Sequence, residues 1–376
     1  MMPRMRAALL PALIATLLAA CGGAAAPATK PAAGQASTPA GASSGLQAII
    51  DGARKEGTLT LTYGEGTLGG GEGAKRFIAM VNKAYGLDLK AEFTPGPSMP
   101  EMVTKVLQES HSGRPASTDI LVGYAETLLP GIQAGLFQPG GWASWASNMK
   151  DPQLVTANDA VVAVQTSIAG ITINTSKIKG DLVPRTLDDL LKPEFKGRLA
   201  STPYGAYFDF LGTDQLWGDA RTTDYLTKFS KQLAGLIRCN EINRIVSGEF
   251  DAFAIVCSQS ESLVAKSKGQ PIEYIVPSDA PLALYLYAAI PKNASHPNAA
   301  KLWINQLLAR DAQEALYEIN AADLHILPGS KTAKMLHEVQ AAHSKVFLET
   351  VDFLTEHYLP NGPALRPKYQ KILASK

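Results

Sequence analysis

From residue 46 onward, apolar positions recur first three or four apart, then two apart, so helices and strands are expected in turn. Residues 46–55 read as a helix, and 58–63 (TLTLTY) as a strand. A helix over 73–85 carries Phe77, Ile78 and Val81 on one face, and 88–93 is the second strand. A helix over 100–110 turns Met102, Val103, Val106 and Leu107 inward, and 119–122 is the third strand. Three βα units in succession predict an α/β fold built on a doubly wound parallel sheet.

The apolar run 161–172 is too long for one buried strand, and Gly170 within it predicts two strands or a strand passing between lobes. A second α/β set covers 198–277, with strands at 235–238 and 252–256. Residues 282–290 form another long strand, 297–319 a helix burying Trp303, Leu307 and Leu316, and 330–357 read as helical. A chain that leaves one lobe, builds a second and returns needs two such long strands. The expected division is therefore 46–166 for the first lobe, 167–282 for the second, and 283–376 for the return with C-terminal helices, with crossings near 167–171 and 283–288.

Composition changes the picture mainly at the start of the chain. Arg4 and Arg6 precede an apolar stretch over 7–17, and Leu18-Ala19-Ala20-Cys21 closes it with small residues, so 1–20 reads as a cleaved export signal. Leu-Ala-Ala-Cys resembles the lipobox of bacterial lipoproteins, which implies that Cys21 is lipidated and anchors the protein to a membrane. Residues 21–45 are almost wholly small or polar, with Lys30 their only charge, and predict a disordered tether. Its reach is on the order of 25 to 30 Å. Lys and Arg total 35 against 34 for Asp and Glu, so no strong field draws the protein to nucleic acid.

Residues 184–203, PRTLDDLLKPEFKGRLASTP, combine a helix capped by Thr186 and stopped at Lys192-Pro193 with a short strand from Arg198. This stretch resembles the P-x-T/S-x-x-D-L-x-x-P-x-x-K-G-K/R segment of the family-1 extracellular solute-binding proteins. Four further segments resemble that family in the same order: STDILVGYAETLLPGIQAGLFQP, AGITINTSKI, VSGEFDAFAI and AAIPKNASHPNAAKLWINQLLARDAQEAL. The resemblance implies a type II periplasmic-binding-protein fold, α/β in class, with two lobes joined by hinge strands. It also implies a monomer without cofactor or catalysis that captures a small solute and delivers it to an ABC permease. Ferric-iron members carry a Tyr-Tyr pair that would fall on Ser258-Gln259 here, so the resemblance does not extend to iron.

Other chemistry is weaker. Gly64-Glu65-Gly66-Thr67-Leu68-Gly69 fits the G-x-G-x-x-G dinucleotide fingerprint, with Glu92 near the ribose-binding spacing. Gly70, Gly71 and Gly73 extend it into what reads as a floppy loop, and a cleft loop offering backbone donors is the better reading. His111, His296, His325, His337, His343 and His357 show no metal-binding spacing, and no G-x-S-x-G elbow is present. The rival reading, a secreted α/β enzyme acting on a nucleotide or sugar, lacks a nucleophile or acid/base pair.

Ligands in open α/β sheets sit beyond the carboxyl ends of strands. The candidate ligand-binding residues are thus Gly64, Glu65, Gly66, Thr67, Pro97, Ser98, Tyr124 and Glu126, with Thr202, Tyr204, Tyr207, Asn240, Ser258 and Gln259 from the second lobe. Helix N-termini converging there without lysine or arginine favour an organic carboxylate or phosphonate. The alternative is a cationic amine or polyamine held by Glu65 or Glu126. Cys239 and Cys257 end the strands 235–238 and 252–256; if those strands are neighbours the pair suits a disulfide, and otherwise both are buried thiols.

Overall fold

The computed structural model describes residues 44–205, 207–341 and 345–375. The export signal, Cys21, nearly all of the tether and His343 lie outside the described residues.

Strand β1 (Thr58–Tyr63) buries Leu59, Leu61 and Tyr63 and leaves its threonines half-buried, as its alternation predicts. It pairs in parallel with β2 (Lys90–Pro95), and a parallel bridge from Leu61 to Ile120 links it to β3 (Leu121–Tyr124). The short β4 (Val155–Thr156) precedes β5 (Val161–Asn174), a single strand of 14 residues with every side chain buried. Its length is explained by its partners. Val161–Ala169 of β5 lies antiparallel to β10 (Leu282–Ala289), whereas Gly170–Asn174 pairs with β8 (Ala252–Val256) and β9 (Ile272–Ile275).

One strand therefore holds both halves of a nine-stranded sheet. The front half adds β3, β4 and β11 (Phe347–Glu349); the back half adds β6 (Leu199–Ser201), which lies between β7 (Leu233–Leu236) and β8. Gly170 sits where the partners change, and the register shifts after it. A Cβ there would stand 2.5 Å from the Ile275 carbonyl oxygen, a clash with backbone that cannot move aside, so the crossing point requires glycine.

The return crossing comes earlier than 283–288. Ile171 still pairs with Ile275 and Leu282 already pairs with Ala169, so the chain changes halves over 276–281 and β10 lies wholly in the front half. A third passage follows. After β11 the helix Gly362–Ala374 packs against the helices Gly218–Phe229 and Phe208–Leu211 on the back-half side.

Three expected helices differ. The 297–319 stretch is two helices, Pro297–Leu307 and Arg310–Asn320, broken at Leu308. The 330–357 stretch is a helix, Lys331–Ala341, followed by strand β11 and short turns. Around Thr186 the hydroxyl does accept the Asp189 N–H at 3.0 Å, but Pro193 follows so soon that the two turns Asp188–Leu191 and Pro193–Phe195 are 3-10.

Candidate functional site

The loops after β1, β2, β3, β6, β7 and β8 open onto a cavity of about 590 Å³. Gly66, Thr67, Ser98, Tyr124, Glu126, Tyr204, Tyr207 and Ser258 are on its wall, with Cys239 and Cys257. Gly64, Glu65, Pro97, Thr202, Asn240 and Gln259 are not. Gln259 is fully buried because its amide serves β5: its Oε1 accepts the Ile168 N–H at 2.7 Å and its Nε2 donates to Thr166 O at 3.2 Å. A second cavity, about 540 Å³, lies among 212–219 and 356–365, away from the strand ends that position ligands in such sheets.

The glycine-rich loop is not floppy. Gly70, Gly71 and Gly73 form the first turn of the helix Gly70–Tyr85, where a Cβ on Gly73 would meet Leu68 O at 1.9 Å. Three of its backbone donors are committed within the loop. Thr67 N–H bonds Gly64 O at 2.8 Å, Gly70 N–H bonds Thr67 O at 2.9 Å, and Gly73 N–H bonds Gly69 O at 3.0 Å. Gly71 N–H reaches the Glu65 carboxylate, which folds back over its own loop instead of facing the cavity. The loop thus carries its own carboxylate.

The same holds for the helix N-termini. Ser98 and Glu101 form a capping box at the helix Met99–His111, with the Ser98 hydroxyl donating to Glu101 Oε2 at 2.6 Å. At the helix Ala125–Gln133, the Glu126 N–H donates to Glu349 Oε1 at 3.3 Å. Glu261 occupies the first turn of the helix Ser260–Ser267. Three N-termini aimed near the cavity thus each carry a protein carboxylate that complements the dipole.

Sequence reasoning missed two charged groups on the wall, Glu261 and Arg366. The Arg366 Nε donates to Asp209 Oδ2 at 2.6 Å, and its Nη2 is paired with Glu126, so the guanidinium joins an acid after β3 to one after β6. Tyr358 adds an O–H donated to Asp209 at 2.7 Å. Burial pushes the carboxyls of Asp209 and Glu126 up, while Arg366 pulls both back down. Glu261 is also pushed up by burial, with no cation offsetting the effect. It faces the first strand's loop: a Cβ on Gly66 would lie 3.6 Å from Glu261 Oε1. Tyr124 donates to Ser167 Oγ at 3.1 Å, and burial, with Glu261, Glu349 and Glu126 acting the same way, pushes its phenol up to about 12.

Cys239 and Cys257 are joined as a disulfide, with their Cα atoms 5.7 Å apart. The route is not the expected one, since β6 separates β7 from β8. Past the end of β7, Ile237 N–H bonds Ser201 O at 2.9 Å at the end of β6. Cys239 follows two residues on and meets Cys257 on the cavity wall. Cys257 O in turn accepts the Tyr207 hydroxyl at 2.8 Å, so the bond and the tyrosine brace the same loop.

Glu349 is fully buried; Oε1 takes the Glu126 N–H and Oε2 has no partner among the described residues. Burial, with Glu126 next, pushes its carboxyl well above the ordinary value of 4.5. Above 4.5 the native state keeps a proton that the unfolded chain loses, so stability falls as pH rises through that window up to the raised value. Glu349→Gln is expected to flatten the decline of the urea midpoint as pH rises above 4.5. An unchanged slope would show that Glu349 is not the group responsible.

Residues 117–344, well over half of the chain, match a family described as "Bacterial extracellular solute-binding protein". The chain belongs to that family. A substrate-binding protein of an ABC transporter from Agrobacterium tumefaciens has a similar structure, with a TM-score of 0.68 and 13% identity over 86% of this chain and 97% of that one. The spermidine/putrescine ABC transporter substrate-binding protein PotD of Streptococcus pneumoniae gives a TM-score of 0.61 at 15% identity, covering 84% of this chain and 99% of that one. Iron-bound HitA of Pseudomonas aeruginosa gives 0.57 at 19%, covering 70% and 85%. A Haemophilus influenzae protein of uncharacterised function is 25% identical over 173 residues, 43% of this chain, and the chain spans about half (49%) of that curated relative's length. The solute-binding family and the two-lobed α/β fold of its structural neighbours are thus shared, and those neighbours are binding proteins with unlike ligands. The fold does not choose the solute.

Proposed function

We propose that this protein is an exported receptor of an ABC importer, and that it captures a small organic amine at the cavity and hands it to a membrane permease. Membership of the family and the 1–20 leader with Cys21 support export and anchoring. Capture works by population shift: a solute touching both halves of the sheet favours the arrangement that encloses it.

The observation that carries the solute class is Glu261, a carboxylate on the cavity wall with no cationic partner. A desolvated, unpaired carboxylate is costly until a cation arrives, which makes it a favourable seat for an ammonium. Arg366 is the one basic side chain on that wall among the described residues, and both Asp209 and Glu126 already hold it. Protein carboxylates already stand at the nearby helix N-termini and the guanidinium is held, so the amine is preferred over the anion that the strand-end positions alone suggest. Tyr124, Tyr204 and Tyr207 supply flat apolar faces for the amine's carbon chain.

A thermal-shift panel of amines, carboxylates and phosphonates tests this. A solute at about a hundred times its Kd stabilises by roughly 2.7 kcal/mol, enough to raise Tm by roughly 5 °C. Amines are expected to give that rise, and a rise with carboxylates or phosphonates alone would overturn the solute class.

A further inference from the structure

The helix Gly362–Ala374 forms a third wall of the cavity. Arg366 and Gln370, one turn apart, both line it, and the Gln370 amide donates to Tyr204 O at 2.8 Å. Gly205 allows the close approach, since a Cβ there would lie 3.1 Å from Arg366 O. The helix is thereby fixed against the loop after β6, and its guanidinium reaches across to Glu126 at the end of β3.

Among the described residues, two carboxylates line this cavity, Glu126 and Glu261. Only the second is vacant. Resting on the amine reading above, we infer that Arg366 is a charge selector: its guanidinium permanently fills the Glu126 position, leaves Glu261 as the single open cation seat, and so restricts the receptor to solutes with one ammonium group. A second ammonium on the same solute meets Arg366 where it would need a carboxylate. Displacing the guanidinium is opposed by Asp209, which is fully buried and would lose its partner. Like charges in a partly desolvated cavity repel strongly, which converts a shared amine chemistry into discrimination by charge number.

The test is calorimetric titration of the full chain with butylamine and with 1,4-diaminobutane, equal in carbon length. The wild type is expected to bind the monoamine at least about tenfold more tightly, a difference of one decade in Kd. In Asp209→Asn/Arg366→Gln, which removes the guanidinium together with the acid that would otherwise be stranded, Glu126 is vacant and the preference is expected to reverse. A wild type that binds the diamine as tightly as the monoamine overturns the selector, as does a folded double variant that keeps the wild-type ratio. The wild-type comparison needs no variant, so it decides the matter even where the double variant fails to fold. Absence of binding by either amine refutes the amine reading itself, a different outcome from amine binding without discrimination.

Discussion

Arg366→Met is expected to lower the stability of the protein by about 3 kcal/mol, because it strands a carboxylate that has no access to water. Asp209 is fully buried, and its Oδ2 takes both the Arg366 Nε at 2.6 Å and the Tyr358 hydroxyl at 2.7 Å. Loss of the guanidinium leaves only two neutral donors, the Tyr358 hydroxyl and the Phe210 N–H, to stabilise that charge, and Glu126 stands nearby with the same sign. Methionine preserves most of the aliphatic stem, so the measured loss reports the charge more than the packing. Urea unfolding of the wild type, Arg366→Met, Asp209→Asn and the double variant closes the cycle. The double variant is expected to recover much of the loss, since removing both partners costs less than removing one. A single-variant loss below about 1 kcal/mol would mean that the pair behaves as an exposed surface pair.

Cys239→Ser/Cys257→Ser is expected to cost roughly 3 kcal/mol, the loop-closure entropy of a short crosslink. The cysteines are 18 residues apart in sequence, and the segment between them contains β8, the strand next to β5. The bond also positions the site. Tyr207 donates to Cys257 O, and the two residues after Cys257 are Ser258 on the cavity wall and Gln259 bonded to the crossing strand. Weaker amine binding should therefore accompany the loss of stability. A double serine variant with wild-type unfolding midpoint and wild-type affinity would contradict both expectations.

Elements with a strong local signal were legible. Thr58–Tyr63 alternates cleanly because one face is buried and the other is not, and its bounds follow from that alternation. The run from Val161 announces a strand between two environments because burial on both faces removes the polar half of the pattern. The point of return was not legible, since 282–290 is apolar throughout and only pairing with Ala169 shows which half it joins. The site's charge was illegible for a related reason. Glu126 is capped from Glu349 and paired with Arg366, hydrogen bonds that span 223 and 240 residues, so no local pattern reveals that the helix N-terminus is filled. Glu261 lay within reach: it stands two residues beyond Gln259, in the first helical turn after a strand-end loop.

The central claim is that Glu261 is the seat of an ammonium group, and titration of butylamine into the wild type and Glu261→Gln tests it most directly. Glutamine keeps the shape and removes the charge, so an affinity at least about a hundredfold lower in a variant that unfolds at the wild-type urea concentration is the predicted result, in line with about 2 to 3 kcal/mol for a charge-assisted hydrogen bond. Equal affinity in the two proteins, or tight binding of a carboxylate that Glu261→Gln strengthens, would contradict it.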